Sequence, residues 1–135
     1  MKQSILVITI SRIMLPFVFL YGFYIILHGD LSPGGGFQGG AILATGFLLT
    51  YFIDDERRVD LSRLLRREKY LFLALLLTGT LSAITRGQPF TNFLSPDFPL
   101  EIRRIFFLLL NVLISLKVAL GLTAIVETFL EEGQE

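Results

Sequence analysis

A lysine lies in the middle of the last long apolar run of the sequence. Lys117 has 12 residues of the run 105–129 on either side, which in an α-helix corresponds to about 18 Å to each end. A lysine side chain is only about 6 Å long, so its ammonium group does not reach the membrane surface from there. An ammonium group at the centre of a bilayer costs at least about 2.5–3.5 kcal/mol, so its charge must be compensated within the membrane. We therefore take Lys117 as a candidate for an ion path.

The sequence does not show which group compensates Lys117. The nearest acid in the same run is Glu127, ten residues further on, and the other apolar runs contain no Asp or Glu. Either Lys117 faces a hydrated path or an acid of another subunit, or burial removes its charge and a structural hydrogen bond holds it. Gly121 and Ala124 share its helical face at i+4 and i+7, where small side chains suit close helix contact. We favour the functional or inter-subunit role.

Other polar residues lie within or beside the apolar runs. His28 and Asp30 are in the connection after the first run, and because histidine titrates near neutral pH, both are ion-path candidates at a proton entrance. The alternative for His28 is an ordinary histidine at the membrane surface. Arg12 either extends to the headgroups or pairs with a carboxylate. Asn111 and Ser115, at i and i+4, are expected to make structural hydrogen bonds, between helices or from Ser115 back to its own helix.

A glycine-rich stretch opens the second apolar run. Ser32 followed by Pro33 is typical of a helix start, with an N-cap hydroxyl and then a residue that needs no N–H. Five glycines then occupy the first two turns, although each costs about 1 kcal/mol relative to alanine in a helix. Their four-residue spacing forms two overlapping ridges for closely packed helices; alternatively, the first turns are irregular and line a cavity. The motif consists of Ser32, Pro33, Gly34, Gly35, Gly36, Phe37, Gln38, Gly39 and Gly40.

Four apolar runs are long enough to cross a bilayer, which takes about 20 residues. Hydrophobic residues make up 53% of the 135 residues, and the mean hydropathy is +0.66. The first run follows Lys2 as in a signal peptide, but it is too long and has no small-residue cleavage site. We predict an all-α integral membrane protein with a single transmembrane domain, 1–135. The predicted spans are 4–27, 33–53, 69–85 and 105–129.

Charge placement predicts the orientation of these spans. Arginine and lysine are concentrated in the loop 54–69, whereas the connection 28–32 has none. Since basic loops stay on the cytoplasmic side, we expect both termini to be cytoplasmic. Our separate working hypothesis is that the four spans form a four-helix bundle.

Composition excludes several classes of function. The chain has no cysteine, so it has no thiolate ligands for a metal or an iron–sulfur cluster, and we expect no cofactor in this chain. Its basic residues flank the spans and are matched by acids, which argues against nucleic acid as a partner. Gly34, Gly36 and Gly39 match G-x-G-x-x-G by letter, but without a preceding strand they do not form a nucleotide site. No catalytic constellation is present, so we expect a non-enzymatic protein.

The string from His28 to Gly40, HGDLSPGGGFQGG, resembles the signature of the B subunit of Mrp-type multisubunit Na⁺/H⁺ antiporters. It is also similar to a small membrane subunit of ferredoxin-dependent membrane-bound hydrogenases and their sulfur-reducing relatives. The resemblance extends loosely along the whole chain. Asp30 and the loop up to Arg104 carry no match to a family motif.

The resemblance implies an accessory subunit in a prokaryotic cell membrane. Its partners would be the lipid bilayer, large antiporter-like subunits and small Mrp-type subunits, and it would contribute to the cation path or to packing between subunits. Two alternatives stay open. The parent complex is a ferredoxin-dependent hydrogenase or sulfur reductase with an antiporter module, or the chain is a structural membrane subunit that touches no ion.

Overall fold

The structure, a computed structural model, describes residues 4–29, 35–54, 60–88, 97 and 99–133. These residues form four α-helices and no strand: α1 (Ile5–Leu27), α2 (Gly35–Ile53), α3 (Leu61–Arg86) and α4 (Leu100–Glu132). All four are long and apolar enough to cross a membrane. The predicted all-α membrane fold with four spanning helices is therefore confirmed. The cytoplasmic location of both termini and the single domain stay predictions.

The helix ends follow from local side-chain chemistry. Ser4 caps α1 by accepting a hydrogen bond from the N–H of Val7 at 3.2 Å. Asp60 caps α3 by accepting one from the N–H of Ser62 at 3.0 Å. Gly87 ends α3 in the left-handed conformation, with φ 77°, which glycine adopts without steric cost. Pro16 lies inside α1 without ending it, as is tolerated in membrane helices.

The third helix is longer than the predicted span. Hydropathy placed its start at position 69, whereas α3 begins at Leu61. The added segment, 61–68, is rich in leucine and arginine, which are good helix formers although arginine is charged. Hydropathy detects apolar segments and not the helix itself, so it missed two turns that carry charged side chains.

The four helices pack as a row and not as a closed bundle. Within the described residues, α1 packs on α2, α2 on α4, and α4 on α3; α1 also touches α4, but α3 contacts neither α1 nor α2. The predicted four-helix bundle was therefore wrong. In lipid no hydrophobic force draws apolar helices into a closed core, and close packing occurs where side chains are small. Here the small residues that allow close packing lie on α2 and α4. These two helices therefore form the centre of the row.

Much apolar surface remains uncovered as a consequence. The buried core is small, with Ile26, Leu43 and Ala119 packed against Phe19 and Val112. In contrast, Phe17 and Leu20 of α1 are 68% and 70% exposed. These faces suit lipid or neighbouring membrane subunits.

The cap of α3 leads to a testable prediction. The hydrogen bond from the Ser62 hydroxyl, together with the Ser62 N–H and the Arg63 guanidinium, holds the pKa of Asp60 below its usual value of 3.8. A lowered pKa means that ionised Asp60 stabilises the first turn above about pH 3.8, and that this stabilisation is lost as pH falls through the lowered pKa.

We expect Asp60→Ala to accelerate amide hydrogen exchange at the start of α3 at neutral pH, because the N-cap acceptor is removed. Asp60→Asn keeps an acceptor oxygen and should retain most of the protection. Exchange measured by mass spectrometry on the membrane-embedded protein checks this result. Equal exchange in the alanine variant and the wild type would show that the cap does not stabilise the helix.

Candidate functional site in the membrane helices

The glycine motif packs α2 against α1 on one ridge. A methyl group added at Gly35 would overlap the Cα atom of Gly29, and one added at Gly39 would overlap the side chain of Ile26. The added methyl at Gly39 would also lie 3.3 Å from the carbonyl oxygen of Gly22. Gly35 and Gly39 are four residues apart, so they form a continuous groove for the end of α1.

The second ridge packs α2 against α4. A methyl group added at Gly36 would lie 3.0 Å from Ile114 Cγ2. One added at Gly40 would lie 2.6 Å from the carbonyl oxygen of Ser115 and 2.8 Å from Val118 Cβ. Residues 35–40 are regular helix. The ridge of Gly35 and Gly39 therefore packs on the end of α1, and the ridge of Gly36 and Gly40 packs on α4.

The other residues of the predicted motif do not share this role. Phe37 and Gln38 are on the exposed side of α2, with Phe37 60% exposed. They are free to meet lipid or another subunit. Asp30, Ser32, Pro33 and Gly34 lie outside the described residues.

Lys117 forms an ion pair within the chain. Its Nζ lies 2.8 Å from Oε1 of Glu68 on α3, and the two side chains are 31% and 26% exposed. The ammonium group also lies 5.4 Å from the ring centroid of Phe72, one helical turn further along α3. A carboxylate at hydrogen-bonding distance and an aromatic face together compensate a charge far from water.

Of the alternatives for Lys117, an acid of another subunit as its partner was wrong, because the structure places Glu68 of the same chain there. That alternative depended on a third span that began at residue 69, which left Glu68 in a loop. Because α3 begins at Leu61, Glu68 is two turns inside a helix that packs antiparallel on α4. The pair therefore joins α3 and α4.

Gly121 of α4 lies beside this pair. A methyl group added at Gly121 would lie 3.9 Å from Glu68 Cγ, which is ordinary contact. Ala124, one turn further, is 3% exposed. The hydroxyl of Ser115 donates to the carbonyl oxygen of Val112 at 2.9 Å. The expected bond from Ser115 back to its own helix is thus confirmed.

His28 lies away from Lys117. It caps α1, where its Nδ1 is 2.9 Å from the carbonyl oxygen of Tyr24 and its ring stacks on the Tyr24 ring with centroids 4.3 Å apart. Its neighbour Gly29 lies against Asn111, six residues or about 9 Å along α4 from Lys117. Since α1 does not contact α3, the structure does not bring His28 to the ion pair.

Arg12 lines a cavity of about 450 Å³ at the other end of α1. The cavity is bounded by Leu15 on α1 and by Thr50, Ile53 and Asp54 at the end of α2. Its mixed guanidinium and carboxylate lining can hold water or a lipid headgroup. Within residues 4–29, 35–54, 60–88, 97 and 99–133, no three His, Asp or Glu side chains are placed to hold a metal ion.

Sequence reasoning missed Glu68 as a site residue. A usable signal was present: Asp60 is a good N-cap, and the following residues favour helix, so the helix start could have been placed before Glu68. It also did not single out Glu127, which is only 4% exposed.

Residues 6–124 match the family model described as a domain related to the MnhB subunit of Na⁺/H⁺ antiporter. The chain belongs to the MnhB family. The resemblance inferred from the glycine motif is therefore confirmed, and the match reaches into all four helices.

Individual relatives of this MnhB-family chain are antiporter subunits by name. The mnhB2 antiporter subunit of Staphylococcus saprophyticus is 37% identical over 60 residues, 44% of this chain and 43% of that protein. Its counterpart in Staphylococcus epidermidis is 28% identical over 93 residues, 67% of this chain and 66% of that protein. The chain thus matches between less than half and about two thirds of these relatives' length.

A solved structure has the same arrangement of helices. A chain of the membrane-bound sulfane sulfur reductase, an archaeal respiratory membrane complex, is 30% identical to the MnhB-family chain with a TM-score of 0.76. The similarity covers 96% of this chain and 59% of the reductase chain. A similar arrangement of helices therefore occurs in a respiratory membrane complex.

Proposed function

We propose that this chain is a non-catalytic membrane subunit of a multisubunit monovalent cation/proton antiporter in a prokaryotic cell membrane. Its partners are large antiporter-like subunits and small membrane subunits of the same complex. The proposal is supported by the family match over residues 6–124 and by the exposed apolar faces of a helix row that does not close on itself. The single observation that carries it to ion transport is the Lys117–Glu68 pair.

The Lys117–Glu68 pair suits an ion path because the two charges compensate each other while both side chains remain partly exposed. About a quarter of Glu68 and a third of Lys117 remain exposed, so a cation in an adjoining path can reach the carboxylate. A cation bound there competes with the ammonium group for the same oxygen. Two unit charges at about 4 Å interact by several kcal/mol in a protein environment, so one arrival shifts the position of the other charge. Through this displacement, an ion that binds at the pair can affect a neighbouring subunit.

A second candidate function follows from the solved structure. Because a reductase chain of a respiratory complex matches 96% of this chain, the same subunit can serve a redox-driven complex that contains an antiporter module. The chain has no cysteine and so contributes no thiolate to a cluster, whichever complex holds it. The redox groups would belong to other subunits.

Affinity purification from native membranes in mild detergent, followed by mass spectrometry, tests the proposal. We expect antiporter-like membrane subunits to co-purify with the tagged chain and no redox subunits. Additional iron–sulfur subunits would support the respiratory complex instead. Recovery of the chain alone, intact and stable, would contradict both candidates.

A further inference from the structure

Glu127 is a buried acid that the Lys117–Glu68 pair does not use. It is 4% exposed, and its Oε2 is buried with no hydrogen-bond partner among the residues that the structure describes. It lies ten residues beyond Lys117 on α4, about 15 Å along the helix. With Lys117 at mid-membrane, that distance is about half the hydrocarbon thickness of 30 Å, so Glu127 lies where the apolar layer begins.

Glu127 ends a row of buried residues on α4. Ser115, Ala119, Thr123 and Glu127 are spaced by four residues and are each at most 4% exposed. The row begins at the contact of Ser115 with Gly40 and continues through Ala119 in the core with Leu43. The polar side chain of Thr123 is satisfied by its own helix, since its hydroxyl donates to the carbonyl oxygen of Ala119 at 2.7 Å. Oε2 of Glu127, at the end of the row, has no such partner in the described part of the chain.

Tyr51 of α2 is level with Glu127. Gly36 and Gly40 fix α2 and α4 in a common direction and register, through Asn111, Ile114, Ser115 and Val118. Eleven residues beyond Gly40, this register places Tyr51 opposite positions 126–129 of α4. The phenol oxygen of Tyr51 is buried as well. Two oxygen atoms of the kind that bind protons and hard cations are therefore brought to one end of the α2–α4 interface.

A cavity with polar lining lies at this end of α2. It is lined by Arg12, Thr50 and Asp54, and Thr50 directly precedes Tyr51 in the sequence. A buried carboxylate oxygen without a donor costs free energy unless a proton or a cation occupies it.

We infer that Glu127, with Tyr51 at the same level on α2, is a further binding site for a monovalent cation, either a proton or Na⁺, at the membrane boundary of α4. The role of this site in transport rests on the proposed function, whereas the existence of the site does not. The site would be the first position where an ion leaves water on its way along α4.

Labelling with dicyclohexylcarbodiimide tests the site directly, because this reagent modifies protonated carboxyl groups in apolar surroundings. The intact complex is treated in Na⁺-free buffer and in buffer with NaCl or choline chloride, and the modified peptides are identified by mass spectrometry. Glu131, four residues further on the same helix and exposed, is the matched internal control. We expect modification of Glu127 to exceed that of Glu131 at least several-fold, and Glu127→Gln to abolish it.

The salt dependence identifies the occupant. Protection by NaCl but not by choline chloride assigns Na⁺ as a competitor of the proton, whereas modification that is unaffected by NaCl assigns the proton alone. If Glu127 is unmodified without Na⁺, or modified no more than Glu131, the inference is overturned. The labelling requires no transport activity, so failure of the antiporter proposal in a transport assay would be a separate result.

Discussion

Lys117→Met is expected to reduce cation/proton antiport at least tenfold and to lower the yield of assembled complex. The substitution keeps the length and apolar stem of the side chain but leaves Glu68 without its partner 2.8 Å away. Removing one member of a fully buried ion pair typically costs about 3–5 kcal/mol. Here the cost should be near or below the lower end of that range, because the Glu68 side chain is 26% exposed. Antiport in everted membrane vesicles and native gel electrophoresis of the complex measure the two effects.

The double variant Lys117→Met/Glu68→Gln separates packing from ion transport. It removes both charges together, so the penalty for an unpaired carboxylate is absent, and we expect assembly to recover. If the pair belongs to the ion path, antiport stays low in the assembled double variant. Recovery of antiport together with assembly would assign the pair a structural role only.

Lys69→Met is the matched control for the single variant. Lys69 follows Glu68 directly and is exposed on α3, so the same chemical change there should leave assembly and antiport near wild type. Normal antiport in an assembled Lys117→Met complex would contradict a role for the pair and favour a subunit that only seals its neighbours.

The helices themselves could be predicted because membrane burial imposes one strong constraint. A segment in lipid must satisfy its own backbone hydrogen bonds, so a long apolar run has to be helical. The bounds of α1 and α2 differ from the predicted spans by at most two residues at the ends (Ile5 for 4 and Gly35 for 33). Where the helix extended beyond the apolar run, as at the start of α3, hydropathy contained no signal for it.

The partner of Lys117 could not be derived from the sequence by the same reasoning. Placing Glu68 beside it requires both the early start of α3 and the antiparallel register of α3 on α4. The early start of α3 can be argued from Asp60 as an N-cap. The register of α3 on α4 depends on packing between two helices whose contacting residues, Glu68 and Lys117, are 49 residues apart in the sequence. The lone lysine still indicated correctly that a compensating group was necessary.

The glycine motif shows what spacing alone can and cannot predict. Four-residue spacing predicted two ridges, but not that Gly35 and Gly39 serve α1 while Gly36 and Gly40 serve α4. The open row of helices was not foreseen either, because nothing in an apolar run states which of its faces meets protein and which meets lipid.

Gly40→Val should prevent normal packing of α2 on α4 and abolish most of the assembled complex. Even the first carbon of the new side chain would lie 2.6 Å from the carbonyl oxygen of Ser115, and a backbone atom of a neighbouring helix cannot rotate away as a side chain can. Overpacking typically costs about 1–3 kcal/mol, which exceeds the gain of about 1 kcal/mol or less in helix propensity over glycine. Gly40→Ala should have the same sign and a smaller effect.

Variants of two further glycines test whether contact with the backbone of a neighbouring helix controls assembly. Gly39→Ala meets chiefly Cγ1 of Ile26, a side-chain atom and not a backbone atom, so its loss of assembled complex should be smaller than that of Gly40→Ala. Gly121→Ala meets only Glu68 Cγ at 3.9 Å, and should assemble as well as the wild type or better because alanine favours helix. Thermal unfolding of the purified complexes and their yields on native gels give the ranking.

An equal loss for Gly40→Ala and Gly121→Ala would mean that the α2–α4 contact does not control assembly. The observed order Gly40→Val, Gly40→Ala, Gly39→Ala from largest to smallest loss would instead locate the control at the carbonyl oxygen of Ser115.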